Sequence, residues 1–233
     1  MTQQSGSIEQ KTNINPKMIS TTVIMLAVVL SVDAALLILP AALPGLAASL
    51  QADNAKVYWY LSRGSAISAY ILLWMSMILG LLLSNRLAKH WPGAPAANDL
   101  HQYVSLLGLG LTAFHGVILT GDAYLKINLS QVFTPFGVSS YRPFQVGIGQ
   151  IAFFLWFIVT ASFYVKKLIG VKAWRSIHFF SFILFAFSMI HGITSGTDTG
   201  ETWMQIIYWS SAASVLFLTV YRVLKAAAAT LLE

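Results

Sequence analysis

The sequence predicts an all-α integral membrane protein: a bundle of six transmembrane helices with both termini on the cytoplasmic side. Three observations carry that expectation. Apolar residues make up 57% of the 233-residue chain and charged residues only 9%, where a soluble domain has about a quarter. The apolar residues gather into six stretches, each near the ~20 residues needed to cross a ~30 Å hydrocarbon layer as a helix. The lysines and arginines fall between those stretches and crowd onto one side of the implied membrane.

A polar tail, residues 1–17, precedes the membrane domain, residues 18–225, and a short tail, residues 226–233, follows it. The first stretch, Met18–Leu39, is longer than a secretory h-region of about 7–15 residues, so it reads as a retained helix, closed by Pro40 and Pro44. The second runs Tyr60–Ser84, and Pro92 and Pro95 mark the connection to the third, Leu100–Gly121. Val146–Lys166, Ala173–Thr194 and Trp203–Leu224 complete the six. With the N-terminus inside, the inner face carries Lys11, Lys17, Arg86, Lys89, Lys166, Lys167, Lys172, Arg175, Arg222 and Lys225. The outer face holds Lys56, Arg63, Lys126 and Arg142, a bias of ten to four. Trp59, Trp91, Trp174 and Trp203 near helix ends fit an interfacial aromatic belt.

Composition also excludes. With no cysteine, disulfides, zinc–thiolate sites, iron–sulfur clusters and covalently attached haem are ruled out together. The net charge of +6 follows membrane topology rather than forming a basic surface, so membrane lipid and not nucleic acid is the expected partner.

Four of the five histidines fall on two helices that this topology makes parallel. His101 and His178 lie near the inner ends, His115 and His191 toward the outer side. Fourteen residues separate the first helix's pair, about 21 Å along the axis. Each level thus receives one histidine from each helix, the arrangement that bis-histidine haem iron requires. Fourteen steps of about 100° return within about 40° of the start, so His101 and His115 share a face. Thirteen steps leave His178 and His191 about 140° apart on an ideal helix, so a bend, a π-bulge or approach from different sides must absorb the difference. One histidine in a membrane helix is explained by a hydrogen bond within the bundle; four at two matched depths are not. His90, in a loop with Trp91 and Pro92, reads as a solvated residue. Gly116 and Gly192 follow the outer histidines, and Gly108 and Gly110 lie midway along the third helix, where close approach of a macrocycle or of another helix explains them equally.

These residues resemble the ferric reductase-like transmembrane family, which includes the membrane domains of ferric reductases and NADPH oxidases. The resemblance covers roughly Trp59 to Trp203 and rests on the histidine intervals of fourteen and thirteen. The run Arg63-Gly64-Ser65-Ala66-Ile67-Ser68-Ala69-Tyr70 is similar to the family's Arg-x-x-Gly-x-x-Ala-Tyr pattern, with a displaced glycine. Phe133-Thr134-Pro135-Phe136, Tyr141-Arg142-Pro143 and Trp174-Arg175-Ser176-Ile177-His178 resemble bacterial members. The resemblance implies two stacked b haems, the inner held by His101 and His178 and the outer by His115 and His191. It also implies transmembrane electron transfer as a cytochrome b subunit of a ferric reductase-like system, in a prokaryotic plasma membrane.

The sequence carries no nucleotide-binding glycine fingerprint, since Gly147-x-Gly149 lies inside a membrane run and reads as packing. A flavin or nicotinamide domain is therefore not expected in this chain, and the electron donor is expected to be a separate redox protein or a quinol. Arg63 is placed to pair with an outer propionate or to reach lipid headgroups. Arg142 with Tyr141 is a second outer candidate, and Lys172 with Arg175 are inner candidates that the positive-inside bias also explains. Asp33, alone in the first helix, receives no role, and Asp198 and Glu201 read as an ordinary polar loop. Two other classes stay open: a proton-coupled transporter using the histidines as a relay, and a non-redox scaffold subunit.

Overall fold

The computed structural model describes residues 56–89 and 93–230. The expected first span, the N-terminal tail, Asp33, His90 and Trp91 lie outside the described residues. Among the described residues the chain is helical without strands: α1 (Val57–Ser84), α2 (Ala94–Ile118), α3 (Leu129–Phe133), α4 (Pro143–Tyr164), α5 (Lys166–Phe179), α6 (Ser181–Ser195) and α7 (Thr202–Thr230). Short 3₁₀ turns, Leu87–Lys89 and Leu119–Gly121, follow α1 and α2. Five helical runs are long and apolar enough to cross a membrane, with α5 and α6 together counting as one. They match the second to sixth expected stretches.

Local chemistry sets the boundaries. Pro95 stands in the first turn of α2, where its missing N–H costs nothing, and Pro143 does the same for α4. Asn128 and Gln131 close a reciprocal capping box on α3, with Gln131 N–H donating to Asn128 Oδ1 at 2.9 Å and Asn128 N–H to Gln131 Oε1 at 3.0 Å. The membrane-length run Lys166–Ser195, which contains the fifth expected stretch, is not one continuous helix. Gly170, at φ 81°, breaks α5 near its start in a conformation that suits glycine. A second break falls at Phe180, whose N–H turns to Ile177 O at 3.0 Å in an i−3 bond.

α1 packs along α2 and α7, and α4 packs along α6. The central core joins Tyr70, Leu73 and Met77 of α1 to Trp156 of α4, Phe185 of α6 and Tyr208 of α7. Tyr70 Oη meets Ser211 Oγ at 2.6 Å and Trp74 Nε1 donates to Ser214 Oγ at 2.8 Å, so α7 is tied to α1 by polar contacts as well as packing. Such interhelical bonds matter where no water can satisfy a polar group. Outward-facing side chains are large and apolar, among them Leu61, Phe157, Ile190, Ile206 and Phe217, as expected of helices solvated by lipid.

Trp156, 4% exposed, lies against Gly108 of α2. A Cβ at Gly108 would sit 2.6 Å from the indole Cη2. Replacing Gly108 with alanine is therefore expected to destabilise the bundle by about 1–3 kcal/mol through overpacking. Thermal unfolding of the detergent-solubilised protein measures it; a variant as stable as the parent would mean that the indole is not fixed there.

Candidate functional site at the paired histidines

His101 and His115 project from α2, His178 from the end of α5 and His191 from α6. The rings meet in two pairs. His101 and His178 have ring centroids 6.1 Å apart at an interplanar angle of 73°, and His115 and His191 are 6.3 Å apart at 66°. The break at Phe180 lies between His178 and His191, so the 140° offset of a single ideal helix does not apply across it.

Three of the four imidazoles are fixed through Nδ1. His101 Nδ1 lies 3.0 Å from Ser76 O, His115 Nδ1 2.9 Å from Ser62 O, and His191 Nδ1 2.9 Å from Gln145 O. A carbonyl only accepts, so each Nδ1 must carry the proton, and the neutral ring then presents a bare Nε2 lone pair. Ser62 Oγ adds a contact of 2.8 Å to His115 Nδ1 and donates to the backbone oxygen of His115 at 3.2 Å. At the other pair Ser76 Oγ lies 3.2 Å from His101 Nδ1 and 2.6 Å from Ser105 Oγ, which itself donates to His101 O. Ser62 and Ser76 are fourteen residues apart, as are His101 and His115. α1 and α2 run antiparallel in a register that matches both pairs at once. That repeated interval was present in the sequence and went unused.

His178 is built differently. Its ring lies 5.4 Å from that of Trp174 at 31°, and the Lys166 ammonium sits 3.9 Å from the far ring's centroid. On α4, Gly149 makes room for His191: a Cβ there would fall 2.6 Å from the imidazole Nδ1. At Gly80, beside His101, the same addition reaches only ordinary contact at 3.4 Å.

The His115–His191 pair borders a cavity of about 730 Å³, inside the ~300–1,000 Å³ range of small-molecule and cofactor sites. Its wall is mainly apolar, with His115, His191, Tyr208, Lys56 and Arg63 among the lining residues. The segment between α2 and α4 closes over it. Gln150 anchors that segment, donating to Gln131 O at 2.6 Å and Val132 O at 2.9 Å and accepting from Phe136 N–H at 2.8 Å.

Arg63 lines this cavity, but its guanidinium is paired with Asp198, Nε donating to Oδ2 at 2.7 Å, and lies 4.4 Å from the Trp59 ring centroid. Asp198 is thus a buried partner rather than an ordinary loop residue. Arg142 takes a left-handed backbone before α4 and donates to Thr194 O, while Tyr141 Oη donates to Ser195 O at 3.0 Å. Both tie the connection between α3 and α4 to the end of α6. Arg175 and Lys172 are exposed on α5, and Glu201 is exposed before α7. Among the described residues, no three His, Asp or Glu side chains gather as they would around a free metal ion.

A family model described as "Domain of unknown function (DUF8596)" matches residues 57–198. The chain belongs to this family. The DUF8596 match runs from the first residue of α1 to Asp198, so it contains all four paired histidines, Ser62, Ser76, Gln145, and both members of the Arg63–Asp198 pair. It leaves out α7. No curated protein and no solved structure matches the chain.

Gly149→Ala is expected to displace His191 and to lower the melting temperature in detergent, at a cost of about 1–3 kcal/mol. Gly80→Ala should stay near the parent. Equal melting temperatures for the two variants would contradict the close approach of α4 to His191.

Proposed function

We propose that this chain carries electrons across a membrane through two b-type haems, the inner held by His101 and His178 and the outer by His115 and His191. The observation that carries this reading is the meeting of four imidazoles in two couples, three of them with a proton-bearing Nδ1 turned to a backbone carbonyl. With ring centroids 6.1 and 6.3 Å apart, each couple would leave room for a metal ion between two imidazole nitrogens, and a haem iron there would supply one-electron chemistry. Histidines that ligate a metal commonly donate the other ring N–H to a carbonyl or carboxylate, as His101, His115 and His191 do.

When bound, each haem supplies a one-electron iron couple, tuned by ligation, burial and nearby charge. The protein's part is to hold and insulate. Ser76 O, Ser62 O and Gln145 O fix the tautomer and rotation of three ligands. Trp156 packs on Gly108, seven residues from both His101 and His115, and fills the depth between the two levels with an aromatic ring. The apolar wall and the Gln150-anchored loop surround the His115–His191 pair with mainly nonpolar side chains. Within this reading the chain is the cytochrome b subunit of a ferric reductase-like system in a prokaryotic plasma membrane. It has both termini inside and six spans, and it draws electrons from a separate redox protein or quinol. The resemblance of the histidine intervals and of the Arg63–Tyr70 run supports that assignment.

A dithionite-reduced minus oxidised spectrum of the purified full chain is expected to show b-type haem at two per chain. His101→Ala and His115→Ala should each leave about one haem, at the outer and inner level respectively. A parent protein without haem absorbance defeats the proposal and returns the histidines to a relay or structural role; one haem per chain defeats the pairing.

A further inference from the structure

Two buried side-chain polar atoms find no hydrogen-bond partner among the described residues: Trp174 Nε1 and Ser195 Oγ. Buried donors are normally paired, and a lone one costs about 1–3 kcal/mol, so each asks for an explanation. Their positions are related. Trp174 stands four residues before His178 and Ser195 four residues after His191. Each therefore lies on its histidine's helix face, one turn nearer the adjacent end of the span. For Trp174 the ring contact with His178 shows that shared face directly, and Ser195 lines the same cavity as His191.

Ser195 has an easier option that it does not take. Thr194, beside it, bonds back to Ile190 O at 2.6 Å, and Ser105 and Thr112 bond back to the i−4 carbonyl in the same way. Ser195 makes no such bond, although its own carbonyl is engaged by Tyr141. At Trp174 a cation is close, Lys166 lying over the ring, and the cavity that Ser195 lines carries Lys56, Asp122 and the Arg63–Asp198 pair. An unpaired buried donor calls for an acceptor, and a charged acceptor gives the stronger bond.

We propose that the Trp174 indole N–H and the Ser195 hydroxyl are ligand-binding donors, each receiving a carboxylate arm of the group held at its histidine level. The assignment rests on the two-haem reading, in which those arms are propionates directed toward the nearer membrane surface at each level.

The test uses the full-length protein in detergent and follows haem transfer to excess apomyoglobin. Trp174→Phe and Ser195→Ala are expected to keep two haems per chain and to release one of them faster. The acceleration should be on the order of tenfold or more, the size of a hydrogen bond to a charged group. Ser195→Thr should restore slow release. At position 174, 3-benzothienylalanine keeps the bicyclic shape without the N–H and should release haem as Trp174→Phe does, which separates the lost donor from lost packing. In a His115→Ala background only the change at Trp174 should matter, and in a His101→Ala background only the change at Ser195. Parental release rates in a two-haem protein, or equal loosening of both levels by either change, overturn this assignment alone. A parent without haem overturns the two-haem reading and this assignment with it.

Discussion

A carbonyl inside a helix already accepts one hydrogen bond from the residue four positions on, so a neighbouring imidazole must reach its second lone pair past that residue's side chain. The approach is open only where the covering residue is small. It is small in all three cases here: Ala66 follows Ser62, Gly80 follows Ser76 and Gly149 follows Gln145. At Gly149 the constraint is tightest, since a single carbon there would collide with His191. The three carbonyl–imidazole bonds are therefore also what holds the helices close. They set the antiparallel register of α1 against α2 and the approach of α4 to α6.

Depth and spacing follow from that register. Because Ser62 and Ser76 repeat the interval of His115 and His101, one alignment of α1 and α2 satisfies two polar residues that lipid could not satisfy. A slip by one residue would strand both imidazoles and turn both serines. The space between the levels is filled by Trp156 on Gly108, with Tyr70, Phe185 and Tyr208 around it. Behind α1, the bonds of Tyr70 and Trp74 to Ser211 and Ser214 keep α7 in register without contributing to either histidine pair.

The spans were legible in the sequence because a ~20-residue apolar run has few alternatives to a membrane helix. The histidine levels were legible because depth is simply rise per residue. The thirteen-residue interval even signalled an irregularity, which the structure supplies at Phe180. What stayed hidden depends on which residues meet across helices. The carbonyl partners leave no mark on their own side chains, although Ser62 and Ser76 echoed the histidine interval. Trp174 reads in the sequence as one more belt aromatic, whereas its indole lies tilted against His178 with an unpaired N–H. Arg63 and Asp198 are separated by most of the chain, and only the folded outer loop brings them together.

The two levels are not equivalent, and the difference lies mostly in the connections rather than in the spans. At the His115–His191 pair both imidazoles are tied to carbonyls, and Gln145, Gly149 and Gln150 all fall in the N-terminal part of α4. The same short stretch therefore seats His191 and pins the covering loop, so movement of that loop cannot be separated from movement of a histidine. Arg142 and Tyr141 extend the coupling to the end of α6 through Thr194 and Ser195. The His101–His178 pair lacks such a clasp among the described residues. His178 lies against Trp174 on the segment after the Gly170 break, and Lys166, from before that break, reaches over the Trp174 ring. The scaffold of matched histidine pairs is thus tied by hydrogen bonds at His115 and His191, and at His178 by a ring contact on a short, kinked helix.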